Sequence, residues 1–205
     1  MRKLHDLAIT LMAAGALIIV LIVLLPYVNQ CRPAYGSGNL FAITLACREL
    51  QPAMTEERAT KLAAIFLQAG EETQIDPLLL VAISFRESSL SEQVENREVL
   101  GKRGEIGLMQ NHGVSLRFRP AECTKNLEVI ETVENEARPG KRAYCQIHTG
   151  ARWLQYVYTR CSGSHWRWVA AYGMSKCPSE QVGGMDLSTR RARKYYLKIG
   201  GREWL

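Results

Sequence analysis

The chain predicts a mainly α-helical single domain behind an N-terminal transmembrane helix, and three observations predict it. Residues 7–25 are an uncharged apolar run, close to the about 20 residues that a bilayer-spanning helix needs. Several later segments repeat apolar residues at helical spacing, and no stretch shows the alternation of a half-buried strand. The 205 residues leave room for one compact domain and an appendage.

Residues 1–28 are expected to be an uncleaved signal anchor. A secretory signal has a shorter apolar region, about 7 to 15 residues, followed by a small-residue cleavage site; here the run continues into Pro26, Tyr27 and Val28. The residues before Cys31, Val28-Asn29-Gln30, lack the small and aliphatic pattern of a lipoprotein site. Arg2 and Lys3 precede the span, which puts the N-terminus in the cytoplasm and the rest of the chain across the membrane.

All six cysteines follow the span, as expected for an oxidising compartment. Sequence leaves their connectivity open, although the neighbouring pairs Cys123–Cys145 and Cys161–Cys177 would each close a short segment, worth about 3 kcal/mol. No CxxC spacing occurs and His112, His148 and His165 are scattered, so no metal and no cofactor are expected.

Residues 29–53 contain Pro33, Gly36, Ser37, Gly38 and Pro52. They read as a juxtamembrane spacer with one apolar stretch at 40–45, pinned by Cys31 and Cys47. The domain proper is expected over residues 54–205. Its first helix follows Thr55, a capping residue, with Glu56 and Glu57 in the first turn and Leu62, Ile65, Phe66 and Ala69 on one face. Asp76-Pro77 starts the next, which is apolar nearly all round up to Glu87 and is therefore the central buried helix. Residues 88–113 read as an irregular loop, and 120–141 as a charged segment with a short helix around 125–135. Tyr144, Ile147, His148, Ala151, Leu154 and Tyr158 step helically. A Ser-Gly-Ser break and a short helix with Trp166, Val169, Ala170 and Tyr172 follow, then a last helix from Asp186 or Ser188 with Ala192, Tyr195, Tyr196 and Ile199 on one face.

The net charge of +6 gathers late, in Arg190, Arg191, Arg193, Lys194, Lys198 and Arg202. Such a face suits an anionic polymer or anionic headgroups, or is a solvated helix face. Nucleic acid is disfavoured by the topology.

Glu87 is the chemically pointed residue. It shares a helix face with Ile83 and Leu80, while Arg86 is about 100° round the helix. Burial and the helix C-terminus both favour the protonated carboxyl, which suits a general acid. A surface glutamate fraying the helix end is the competing reading.

The order Glu87-Ser88-Ser89, then Gly107-Leu108-Met109-Gln110, then Ala171-Tyr172 resembles the soluble-type lytic transglycosylases, lysozyme-like enzymes that cut bacterial peptidoglycan. Ile147-His148-Thr149-Gly150-Ala151-Arg152-Trp153-Leu154 is similar to another of the family's blocks. The resemblance implies a lysozyme-like fold, Glu87 as sole acid/base, and substrate contacts from Ser88, Gly107, Leu108, Met109, Gln110 and Tyr172. It implies cleavage of the bond between N-acetylmuramic acid and N-acetylglucosamine with closure of a 1,6-anhydro ring; the anchor read from residues 1–28 adds a single-pass protein of the inner membrane whose domain lies outside the cytoplasm. Gly173 and Ser175 stand where the family has Asn and Gly, and residues 112–144 have no counterpart there.

Glu105 is a possible second carboxylate; a hydrolase would hold it about 5 to 5.5 Å from Glu87 for retention, or about 6.5 to 9.5 Å for inversion. Met109 reads equally as core. Trp153, Trp166 and Trp168 read as core aromatics rather than sugar platforms, and His112 as a solvated loop residue. A muramidase, or a non-catalytic murein-binding module placing a secretion or phage assembly in the wall, are the competing functions.

Overall fold

The computed structural model describes residues 39–130, 140–161, 165–174, 177 and 187–202. Its helices are α1 (Leu40–Leu50), α2 (Glu56–Thr73), α3 (Pro77–Ser88), the single turn α4 (Glu92–Glu95), α5 (Lys141–Arg160), α6 (His165–Met174) and α7 (Leu187–Lys198), with a 3₁₀ turn over Gly113–Phe118. Among the described residues the only β pairing is two isolated bridges, Ile106 with Asn111 and Cys123 with Val129. None of the described helices is long and apolar enough to cross a membrane, and the expected span at 7–25 lies outside the described residues.

The central helix is α3. Asp76 caps it by accepting from Leu78 N at 2.9 Å, with Pro77 in the first turn, and every residue from Pro77 to Ser84 is buried. α2, α5 and α7 pack round it, and the last is tied on by the Tyr196 hydroxyl, which donates to Asp76 Oδ2 at 2.6 Å. α2 starts where expected, on the Thr55 cap. Ser89 closes α3 in the left-handed conformation, its N–H reaching Phe85 O at 2.7 Å. The chain therefore turns sharply just after Glu87.

Two expectations are corrected. The stretch expected to be a spacer contributes α1, whose Ile43, Ala46, Cys47 and Leu50 are buried against α2 and α3. Cys47 is a free thiol, so it makes no bridge to Cys31, which itself lies outside the described residues. Second, residues 125–130 form no helix. Thr124 N bonds Glu128 O at 2.8 Å and Ile130 N bonds Glu122 O at 2.7 Å, making a bridged turn; the remainder of that expected helix lies outside the described residues.

The two neighbouring disulfides form, Cys123–Cys145 and Cys161–Cys177, spanning 22 and 16 residues. The first ties the bridged turn to α5, where the Tyr144 hydroxyl also donates to Glu122 at 2.7 Å.

Candidate active site

A cleft of about 310 Å³ gathers side chains from across the chain: Glu87 from α3, Gln110 and Glu105 with Lys102, Arg103 and His112 from the loop before the 3₁₀ turn, Ser115 from that turn, Trp153 from α5, and Tyr172 and Gly173 from α6. A larger concavity of about 720 Å³ lies elsewhere, lined by Glu72, Phe118, Arg152 and Tyr156. It contains none of the candidate catalytic or substrate residues, so size alone does not locate the chemistry.

Glu87 is three-quarters buried, its side chain 23% exposed, and its Oε1 accepts from Arg86 Nη2. This corrects the expectation that Arg86 points elsewhere. Its Cβ does diverge from that of Glu87, but the long guanidinium arm, only 5% exposed, lies back over the carboxylate. A guanidinium therefore lies against the carboxylate at the cleft.

The strip from Gly107 to Gln110 is a tight turn. Gln110 N bonds Gly107 O at 2.8 Å, and Ile106 and Asn111 exchange both backbone bonds at 2.9 Å. Its registrar is Gln146 on α5, fully buried. Gln146 Oε1 accepts from Leu108 N at 3.0 Å, its Nε2 donates to Glu95 O at 2.8 Å, and its carbonyl accepts from Asn111 Nδ2 at 2.8 Å. Gly150, one turn further along α5, has no room for a methyl, which would fall 2.5 Å from Met109 Sδ. Gln146, Gly150 and Trp153 are spaced i, i+4, i+7, one stripe of the helix that backs the strip and reaches the cleft only at Trp153. That stripe was available in the sequence, yet Gln146 escapes a reading that looks for reactive groups.

The expected substrate residues divide into two layers. Gln110 and Tyr172 line the cleft. Gly107, Leu108 and Met109 are buried behind it, and the Met109 carbonyl accepts from the Tyr172 hydroxyl at 2.7 Å. Ser88 does not line the cleft either; its hydroxyl donates to Ser84 O at 2.9 Å and accepts from Leu90 N at 3.2 Å, finishing α3. Burial pushes the Tyr172 phenol above its ordinary range, so it stays a neutral donor. Trp153 donates its indole N–H to Tyr172 O at 3.2 Å, which joins α5 and α6 at the cleft wall. At Gly173 a Cβ would meet nothing within 4 Å, so the missing amide of the resembled family leaves open space.

Glu105 lines the same cleft but is a different kind of carboxylate. The Arg103 N–H, 2.7 Å from Oε2, holds its carboxyl below the usual range. It is ionised near neutrality and is not a proton donor there.

These features make the chain a mainly helical domain with one helix-borne carboxylate set at a polar cleft. Residues 64–182, more than half of the chain, match the Transglycosylase SLT domain, and the chain belongs to that family. Its members are typically lytic transglycosylases acting on peptidoglycan. No curated relative and no solved structure matches the chain.

Proposed function

We propose that this protein is a peptidoglycan lytic transglycosylase of lysozyme-like fold in which Glu87 is both general acid and general base. Glu87 protonates the glycosidic oxygen between N-acetylmuramic acid and N-acetylglucosamine as that bond breaks. The same carboxylate then takes the proton of the muramoyl C6 hydroxyl as its oxygen attacks C1, which closes the 1,6-anhydro ring without water. The observation that carries this reading is the delivery of a mostly buried carboxylate by α3 to a cleft that also presents Gln110 and Tyr172, in a chain of the SLT family. One acid/base must both give and take a proton, and Glu87 stands at the cleft with its side chain still 23% exposed. Gln110 and Tyr172 contact the sugar; Ser88, Gly107, Leu108 and Met109 support them from behind.

The domain works outside the cytoplasm, a reading supported by its two disulfides. The anchor at 1–28 would hold it to the inner membrane as a single-pass protein.

One observation favours a second reading. The ionised Glu105 in the same cleft has the charge to activate water, and the protein would then be a muramidase. Mass spectrometry of muropeptides released by the purified full chain separates the two: 1,6-anhydro ends are expected, and reducing ends would establish hydrolysis. Glu87→Gln is expected to slow release by about 10²- to 10⁴-fold with the circular dichroism unchanged. Undiminished release by that variant would remove Glu87 from the mechanism.

A further inference from the structure

At the mouth of the cleft a tight turn carries two cations. Gly104 N bonds Gly101 O at 3.0 Å and Gly101 N bonds Glu105 O at 3.0 Å, so Lys102 and Arg103 occupy the two central positions of a β-turn. Gly104, with φ +78°, completes the reversal and has open space where a Cβ would be. At Gly101 a methyl would meet Gln110 Oε1 and Glu105 Oε2, each at 2.3 Å; the base of the turn is therefore packed directly on the cleft side chains.

The charge of this turn is only partly spent within the protein, on the neighbouring Glu105. Arg58 is paired with Glu95, Arg86 with Glu87, and Arg97 and Arg142 with Glu128. Lys102 and Arg103 are exposed, line the cleft, and form no ion pair with a carboxylate among the described residues. Glu105, the nearest acid in sequence, accepts from the Arg103 backbone N–H and feels the Arg103 charge without forming an ion pair with it. Lys102 has no acidic partner among the described residues and Arg103 shares only the field of Glu105, so an anionic group on a glycan, whose rings are neutral, would meet cationic side chains at the edge of the cleft.

We infer that Lys102 and Arg103 form a carboxylate-binding lip that engages the acidic peptide carried by the muramoyl sugar, making this protein selective for strands whose peptide carboxylates are free. The inference rests on the peptidoglycan reading of the cleft and adds the part of the substrate that the cleft's edge recognises. The muramoyl unit that reacts at Glu87 carries the peptide, and Lys102 and Arg103 line the same cleft as Glu87, within reach of a peptide that leaves by its mouth. An exposed guanidinium and ammonium suit such a group: they attract it through water, and their effect falls with salt, since the Debye length is about 8 Å at 0.15 M.

The test compares native strands with strands whose peptide carboxylates have been converted to amides, cleaved by the full chain in detergent. The protein is expected to prefer native strands by about 10-fold in kcat/KM at low salt, with most of the preference in KM. The double variant Lys102→Gln/Arg103→Gln is expected to cut both at the amidated-strand rate, and Arg190→Gln/Arg191→Gln on α7 to keep the preference. Equal rates of the unaltered protein on both strands would overturn the lip. So would a preference that survives in the Lys102/Arg103 variant or disappears in the α7 one, which would mean general charge attraction. Binding of both strands to the Glu87→Gln chain reads the same preference without turnover. A strand preference there with no cleavage by the unaltered protein would uphold the lip and sink the catalytic reading instead.

Discussion

At Gly107 the backbone has φ +74°, and an added methyl would lie 2.1 Å from Gln146 Cδ. Both facts follow from one arrangement: the turn must reverse tightly enough for the buried Gln146 amide to reach Leu108 N. Gly107→Ala is expected to destabilise the protein by about 3 kcal/mol, combining left-handed strain with a core clash, and to reduce cleavage because Gln110 and the Tyr172 acceptor on Met109 shift with the turn. Thermal unfolding checks it; an unchanged Tm would mean that Gln146 does not hold the turn. That Glu87, Gln110 and Tyr172 share a cleft was foreshadowed in sequence, because each belongs to a short block in a specific order. Gln146 was not, since a polar residue in a helix reads as solvent-facing, and the groups it binds at Leu108 and Glu95 are 38 and 51 residues away. Arg86 was misread for another reason: helical phase sets where its Cβ points, whereas its long arm and its burial set where the charge goes.

The helices themselves were mostly legible because capping and periodicity are local. α2 begins on Thr55 and α3 on Asp76-Pro77, as their sequences require. α1 was missed although Ile43, Ala46, Cys47 and Leu50 have helical spacing, because exposed Phe41 and Leu45 blur its stripe and the residues before it are rich in glycine and proline. The bridged turn at 123–130 was missed because its ordering comes from α5, through Cys123–Cys145 and the Tyr144 hydroxyl. At this scale the disulfide is the testable part. Replacing both cysteines by serine is expected to cost about 3 kcal/mol in the chain-entropy model, seen as a lower denaturant midpoint than that of the oxidised protein. A midpoint unchanged by the double replacement would show that the turn is held by its other contacts.

Across the whole molecule, α2 and α5 meet through a buried histidine. His148 is fully buried, with Nδ1 3.0 Å from Glu72 Oε2; Arg152 also reaches Glu72, at 3.5 Å, and the Tyr144 ring lies 4.1 Å away. Burial pushes the His148 imidazole below its ordinary range, against the opposing pull of Glu72, with Arg152 adding to the lowering and Glu122 opposing it. Below about pH 6.5 the unfolded chain therefore binds a proton that the native state resists, so stability falls as pH falls. The carboxyls of Asp76 and Glu95, raised by burial, act oppositely: their contribution is present while they are protonated and is lost as pH rises through their native titration. The expected result is a Tm that declines between about pH 7.5 and 5.5, with His148→Gln flattening the slope whatever its own Tm. Equal slopes in the two proteins would remove His148 from the account. The sequence by itself determined the helical class, the apolar helix that carries Glu87 in its last turn, the order of the family blocks and the plausible neighbouring cysteine pairs, since periodicity, capping and short spacings act over a few residues. Only the tertiary structure decided that Gln146 locks the Gly107 turn, that Arg86 lies on Glu87, that Glu105 is held ionised and that Lys102 and Arg103 stand at the mouth of the cleft. Those outcomes depend on burial and on hydrogen bonds between groups far apart in the chain, and no local pattern encodes which polar atoms will meet there.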